Sequence, residues 1–310
     1  MKKNTVFEYI LSRNIEYYEN ESVKPYLTIG IGNKVRCIII VKEEAELIHL
    51  IKIMVRDNYK FVLIGGGSNT IFAEHSPDLF VIINKINKIE QVNNNILLVN
   101  SGVLNRELLD WCKKKGFGGL EFLAGIPGTI GGAFAVNAGA FGKAMSDVVN
   151  KADVYLIREG LKRLSNNEFG FEYRESKLKY KKDIVIKLFL NVKKSSYDEI
   201  NKKIINNLKQ RSSNNPGYNE KTAGCFFKNP IISGKKVSAG KLIERSGLKG
   251  EKFSDIMVSD IHANFIINTQ NADFDNIINA EKKIIEQTKI KTGIKLEREV
   301  IYIMSDGSKK

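Results

Sequence analysis

An α+β chain of two unequal domains is predicted by three features of the sequence. Short aliphatic runs alternate with amphipathic helical spacing through the first half, and two glycine-rich segments interrupt that half. A capping box then opens a helix near residue 196, and a loop-like composition follows it. The 310 residues leave room for roughly two domains of ~150 residues each. On this reading residues 1–195 form the first domain and 196–310 a smaller C-terminal domain.

The elements follow in order. Residues 36–41 are an aliphatic strand, and helical spacing then runs through Ala45, Ile48, Ile51 and Val55. Residues 61–64 read as a buried strand ending in Gly65-Gly66-Gly67. Residues 79–83 and 96–99 are further strands, the latter behind the turn Asn93-Asn94-Asn95. Over 104–115, Leu104, Leu108, Leu109 and Cys112 share one helical face, and Gly116 suits the helix end. The weakly polar stretch 124–142 is interrupted by Pro127 and repeated glycines, so it reads as loop and turn. Ser196 and Glu199 match a capping box, with Ile200, Ile204, Ile205 and Leu208 as the apolar face behind it. Residues 211–217 have a loop composition. A late helix is expected over 274–288, with Phe274, Ile277, Ile278, Ile284 and Ile285 on one side. An alternating strand through Leu296, Arg298, Val300 and Tyr302 closes the pattern.

Composition bounds the function. Lys plus Arg total 49 against 35 Asp plus Glu, a net charge of +14. That excludes an acidic disordered chain, yet a positive field serves a small phosphorylated ligand as well as a nucleic acid. The lysines scatter in short runs such as Lys113-Lys114-Lys115 at a helix end, without a basic cluster interleaved with aromatics, so no nucleic-acid partner is expected. Cys37, Cys112 and Cys225 are too few for a disulfide framework and suit a reducing, cytoplasmic setting. The N-terminal segment lacks the apolar core of a signal peptide, and no window approaches the ~20 apolar residues that cross a bilayer. Three scattered histidines and three scattered cysteines form no metal constellation.

Gly65-Gly66-Gly67-Ser68-Asn69 lacks both the G-x-G-x-x-G spacing of a Rossmann turn and the Lys-Ser/Thr of a P-loop. Its glycines let backbone N–H groups converge on an anion; a sharp structural turn is the bland reading. The second segment, 119–142, places small residues among aliphatics and permits backbone to lie flat against a planar ligand. Two such loops in one domain favour a dinucleotide carrying both a diphosphate and a ring system.

Together GGGSN and GLEFLAGIPGTIGGAFAVNAGAFG resemble the flavin-binding half of the UDP-N-acetylenolpyruvoylglucosamine reductase family. That half belongs to the FAD-binding folds of the p-cresol methylhydroxylase/vanillyl-alcohol oxidase type. Pro25-Tyr26-Leu27-Thr28-Ile29-Gly30-Ile31-Gly32 fits the family's opening motif, with Asn33 where a second glycine is common. Tyr173-Arg174-Glu175-Ser176, Ala223-Gly224-Cys225-Phe226-Phe227-Lys228-Asn229-Pro230, Ala239-Gly240-Lys241-Leu242-Ile243-Glu244, His262-Ala263-Asn264-Phe265 and Leu296-Glu297-Arg298-Glu299-Val300 follow in the family's order. The resemblance implies a first domain of two α+β lobes binding FAD noncovalently and a C-terminal substrate domain whose last strand can pack back on it. It implies reduction of UDP-N-acetylglucosamine enolpyruvate to UDP-N-acetylmuramate in peptidoglycan precursor synthesis, with NADPH as co-substrate. The cofactor contacts implied are Gly65, Gly66, Gly67, Ser68, Asn69, Ile126, Pro127, Gly128, Thr129, Gly131, Gly132 and Ala133.

The same resemblance assigns the catalytic residues. Hydride addition to C3 of an enolpyruvyl ether builds negative charge at C2, beside a carboxylate. Arg174, a permanent cation with a planar fork, would hold that charge. Glu299 would share in handling charge and proton, although Glu297 is a rival and charged residues of a strand often face solvent. Cys225 stands where many family members carry a proton-donating serine. A thiol of ordinary pKa, roughly 8.5, is mostly protonated at neutral pH and can donate the same proton to C2; free cysteine is more often a small buried hydrophobe, the reading given to Cys37 and Cys112. Tyr173, Lys228, Asn229, Lys241 and His262 are the substrate contacts expected. The short span from Arg174 to Cys225 matches the subtype without the loop that carries a substrate-clamping tyrosine, and leaves Tyr218 as the nearest aromatic substitute. An FAD-linked oxidase on the same fold is the alternative enzyme, and a basic nucleic-acid-binding protein the alternative from another class.

Overall fold

The β-branched run Val35–Val41 is buried on both faces, and its alternation decides which residue enters which core. Cys37, Ile39 and Val41 point into a core completed by Val6, Ile10, Leu47 and Leu50 of the helices Thr5–Ser12 and Glu44–Arg56. Ile38 and Ile40 point the other way, towards Leu27, Val62 and Phe72. The computed structural model describes residues 5–73 and 75–310, so Met1–Asn4 of the N-terminal segment read above lie outside it. In this first lobe, Val35–Val41 pairs antiparallel with Glu16–Glu19 and parallel with Ser76–Asn84, which is parallel to Lys60–Ile64 in turn.

The second lobe is an antiparallel five-stranded sheet, ordered Gly160–Ser165, Val149–Leu156, Ile184–Asn191, Ile96–Asn100 and Ile89–Asn93. The helix Asn105–Lys115 covers it with Leu108, Leu109 and Cys112 and ends at Gly116, whose φ of 72° is the left-handed cap that glycine supplies cheaply. Two readings change here. The 124–142 stretch is not all loop: Thr129 accepts a hydrogen bond from the Gly132 amide and caps a short helix, Ile130–Ala135. The helix Tyr197–Ser212 does open at the Ser196–Glu199 capping box, but it belongs by packing to the glycine-loop half. Its Ile200 and Ile204 are buried with Leu109, Cys112 and Phe117, while Ile205 and Leu208 stay exposed. The chain crosses to the C-terminal sheet at 213–221 rather than at 196, because apolar burial and not the helix start sets a domain edge.

That sheet runs Thr222–Cys225, Phe265–Asn268, Ile256–Val258 and Lys252–Phe253, with the helices Ala239–Arg245 and Phe274–Thr292 on it. Its core also takes Ile29, Ile31, Ile71 and Tyr302. The closing strand is shorter than the alternation suggested, Ile301–Ile303, with all three residues buried. It pairs parallel with Thr70–Phe72 directly after the first glycine loop. Just before it, Lys228 N donates to Glu297 O and Glu299 N to Phe226 O, so one continuous stretch ties the C-terminal sheet to the first lobe. No helix among the described residues is long and apolar enough to cross a membrane.

Candidate active site

The two glycine loops meet face to face. A Cβ on Gly66 would stand 2.5 Å from the Gly128 Cα, and Gly67 sits at φ 60° against the Tyr26 carbonyl, so neither place admits a side chain. Ser68 Oγ donates to Pro127 O across the same seam. Close chain packing therefore accounts for part of the glycine content. It does not account for the amides of Gly66, Gly67 and Ser68, which donate to no protein acceptor among the described residues. Beside them a cavity of about 100 Å³ lies between the lobes, lined by Gly65, Asn84, Ser101, Thr129, Gly131 and Gly132. Free amides at a glycine-lined cleft suit a diphosphate and the edge of a planar ring, so the residues present fit a flavin dinucleotide.

Tyr173 and Arg174 form a two-residue turn closed by reciprocal backbone bonds between Glu172 and Glu175. Arg174 takes φ 60°, a left-handed conformation that costs a residue with a Cβ about 1–3 kcal/mol and persists where neighbours over-determine it. Those neighbours are specific. Asn137 Nδ2 donates to Glu172 O at 2.8 Å, and Ser176 Oγ to Ala135 O at 2.6 Å, which anchors the turn to the second glycine segment. Lys179 Nζ donates to Arg174 O at 3.1 Å. The turn projects the guanidinium to Glu299, Nε to Oε1 2.9 Å, with both side chains largely enclosed.

Glu299 reaches this point through its pairing beside Phe226, the residue after Cys225. Burial pushes the Glu299 carboxyl above the usual carboxylate range, against the opposing pull of Arg174, Lys179 and Lys228. Cys225 ends the Thr222–Cys225 strand, behind Gly224 at φ 81°. Burial pushes its thiol up to about 12, with the Glu299 carboxylate adding to the rise and Arg174 and Arg211 opposing it. The thiol is therefore protonated at neutral pH and is not a thiolate nucleophile. Cys37 and Cys112 are buried with apolar neighbours, as expected.

A cavity of about 390 Å³ opens at this group and is lined by Tyr173, Arg174, Asn229, Phe141 and Lys236. Asn229 is double-edged, since its Oδ1 accepts from Ala239 N and caps the Ala239–Arg245 helix. Lys228 is committed to protein carboxylates, 2.6 Å from Glu175 and 2.5 Å from Glu297. Burial alone would lower its ammonium, but these two carboxylates carry it well above the usual lysine range. Glu297, the rival to Glu299, is exposed and occupied by that ion pair. The structure does not bring Lys241 or His262 to the group. Lys241 is exposed on its helix. The His262 ring lies on Gly240 of the same helix and accepts from Asn264 N at 3.2 Å, and burial holds it below the usual histidine range. The family resemblance implied a ligand contact for His262; in the structure its ring braces a turn.

Three residues were missed by sequence reasoning. Arg211, assigned to a loop, ends the Tyr197–Ser212 helix and packs over Gly125, together with the hydroxyl of the otherwise exposed Tyr218. Burial lowers its guanidinium from the usual range, and its charge acts on Cys225 and Arg174. Its place after a helix face of Ile200 and Ile204 was the available signal. Asn264 braces the strand after Cys225, donating to Phe227 O and accepting from Phe227 N. Lys179 carried no local signal at all.

Comparison with known proteins agrees with this geometry. A family model for an FAD binding domain matches residues 35–164, and one for the UDP-N-acetylenolpyruvoylglucosamine reductase C-terminal domain matches 215–303. The chain is 33% identical over 285 residues to a UDP-N-acetylenolpyruvoylglucosamine reductase of Caldanaerobacter subterraneus subsp. tengcongensis, covering 91% of this chain and 92% of that protein. It is 32% identical over 306 residues to that of Chlamydia abortus, covering 98% of each. The crystal structure of the reductase from Thermus caldophilus superposes with a TM-score of 0.75 at 28% identity, over 93% of this chain and 98% of that one. A glycine-lined interlobe cleft and an FAD-binding domain define an FAD-dependent oxidoreductase. With relatives above 30% identity along nearly its full length, the chain belongs to the UDP-N-acetylenolpyruvoylglucosamine reductase family and reduces that substrate in peptidoglycan precursor synthesis.

Proposed function

We propose that Arg174, Glu299 and Cys225 carry the charge and proton steps of this reduction, with NADPH as the electron source and FAD held noncovalently by 65–69 and 126–133. The Arg174–Glu299 pair beside the Cys225 thiol is the observation that supports this reading. FAD, when bound, supplies the hydride chemistry between nicotinamide and substrate. The protein's part is to meet the negative charge that grows at C2 and the adjoining carboxylate as C3 accepts hydride. Arg174 is a fixed, partly desolvated cation at that position, where its field is stronger than in water. Glu299, its carboxyl raised by burial and paired with Arg174, takes part in handling the charge and proton there. Cys225 gives its Sγ proton to C2, and the resulting thiolate, flanked by Arg174 and Arg211, is reprotonated from solvent. Asn229 lines the cavity beside Arg174 and suits the sugar oxygens of a UDP-sugar enolpyruvyl ether, and Arg211 adds positive charge near Cys225 and Arg174 that suits its anionic groups. The three cysteines form no disulfide, which accords with a reducing cytoplasm.

The direct test is anaerobic. The flavin is reduced with NADPH and UDP-N-acetylglucosamine enolpyruvate is added; reappearance of oxidised-flavin absorbance is expected, and its failure to appear defeats the reading.

A further inference from the structure

We propose that Lys179 is a positioning residue of the reaction centre: its buried ammonium holds the left-handed Arg174 turn closed from beneath and so keeps the guanidinium on Glu299. The inference rests on the roles of Arg174 and Glu299 given above. Lys179 is among the most deeply buried side chains of the molecule, at 1% exposure. Its Nζ has two partners inside the turn, Arg174 O at 3.1 Å and Glu175 Oε1 at 3.0 Å, and stands 4.9 Å from the centre of the Tyr180 ring. A buried ammonium is costly unless every proton is used. Here its donors go to the Arg174 carbonyl and the Glu175 carboxylate, on the two residues that form and follow the left-handed position at φ 60°.

A chain of ion pairs closes the arrangement. Glu175 also accepts from Lys228, whose other partner is Glu297, and the Lys228 amide donates to Glu297 O in the stretch that carries Glu299. Lys179, Glu175, Lys228 and Glu297 thus connect the Arg174 turn to the Glu299 segment by charge-assisted bonds. Around Glu299 the charged and titratable groups are Arg174, Lys179 and Lys228, with Cys225 and Tyr173 adjacent. Removing the Lys179 charge therefore has two consequences, a looser Arg174 and a Glu299 carboxyl that holds its proton to higher pH.

The test separates the half-reactions. Lys179→Met is expected to bind FAD and to be reduced by NADPH within about twofold of the parent. Reoxidation by the enolpyruvyl substrate should slow by about 10²-fold, the scale of a 1 Å misplacement. Its pH–rate transition should move upward in Lys179→Met and not in Lys179→Arg, which keeps the charge and recovers most of the rate. Unchanged reoxidation in Lys179→Met overturns the proposal, and so does a parallel loss of FAD binding, both half-reactions and thermal stability, which is the mark of a purely structural lysine. Where Lys179→Met does not accumulate as folded protein, Lys179→Gln, a donor without charge, is read by the same criteria. Arg174→Ala is the control: if it reoxidises normally, the site reading itself fails, whereas slow Arg174→Ala with normal Lys179→Met sinks the Lys179 inference alone.

Discussion

Arg174 Nε stands 2.9 Å from Glu299 Oε1, and that ion pair joins the turn between the second-lobe strands Gly160–Ser165 and Ile184–Asn191 to the last stretch of the C-terminal domain. Arg174 is placed by neighbours both near and far in sequence, and Glu299 by segments far from it. Arg174 is held in a left-handed turn by Asn137, Ser176 and Lys179. Glu299 is fixed by pairing beside Phe226 and by the strand that follows it, which docks against Thr70–Phe72. The Arg174–Glu299 pair therefore forms only when both halves of the chain are folded together.

Arg174→Lys keeps the charge but loses the planar fork. Substrate-driven flavin reoxidation is expected to fall by about 10²–10³-fold, comparable with losing one preorganised oxyanion donor. Stopped-flow absorbance of the reduced enzyme measures it, and the NADPH half-reaction in the same sample should stay near the parent rate.

Cys225→Ser retains a donor at the same position and should keep reoxidation within about tenfold, whereas Cys225→Ala should lose about 10²–10⁴-fold, the usual worth of a general acid. With its thiol pushed up to about 12, Cys225 should also react slowly with iodoacetamide at pH 8. Rapid alkylation there would contradict an enclosed, protonated thiol.

Glu299→Gln offers a stability test with a definite sign. A carboxyl whose folded-state pKa is raised contributes stability fully below its unfolded pKa and loses it as pH climbs through the folded value. Replacing it with a neutral isostere should raise Tm by about 2 °C at pH 8, with the gain vanishing towards pH 4, while reoxidation falls. Calorimetry across that pH range checks both the sign and the window.

Gly66→Ala should separate the two glycine loops, since its Cβ would meet the Gly128 Cα at 2.5 Å. The expected result is a folded protein purified with little flavin, and an FAD dissociation constant raised by at least tenfold in fluorescence titration. Normal flavin content would show that the seam is not part of the cofactor cradle.

Arg211→Ala should raise the KM for the enolpyruvyl substrate several-fold more than it lowers kcat, because Arg211 is a cation beside the Arg174–Cys225 group and not a partner of Glu299. Steady-state kinetics at saturating NADPH separates the two effects.

Much of the fold was legible because its signals are local. Val35–Val41, Lys60–Ile64 and the Asn105–Lys115 helix follow from apolar periodicity, and Ser196 with Glu199 marks a helix start within one residue. Arg174, Glu299 and Cys225 were singled out by family resemblance, and they lie near one another in the structure. Their partners were not legible. Lys228 looked like a substrate contact and is consumed by Glu175 and Glu297; His262 looked like a ligand residue and braces a turn. Ser196 announces a helix, but only the burial of Ile200 and Ile204 shows which domain owns it.

The sequence alone determined the α+β class, the two glycine segments and the reductase family, since periodicity, capping and ordered motifs are written in neighbouring residues. The tertiary structure decided which charges meet: Arg174 with Glu299, Lys179 beneath Arg174, and Arg211 near Cys225. The Arg174–Glu299 pairing depends on segments far apart in the chain, and even Lys179, only five residues beyond Arg174, owes its burial to packing that no local pattern encodes.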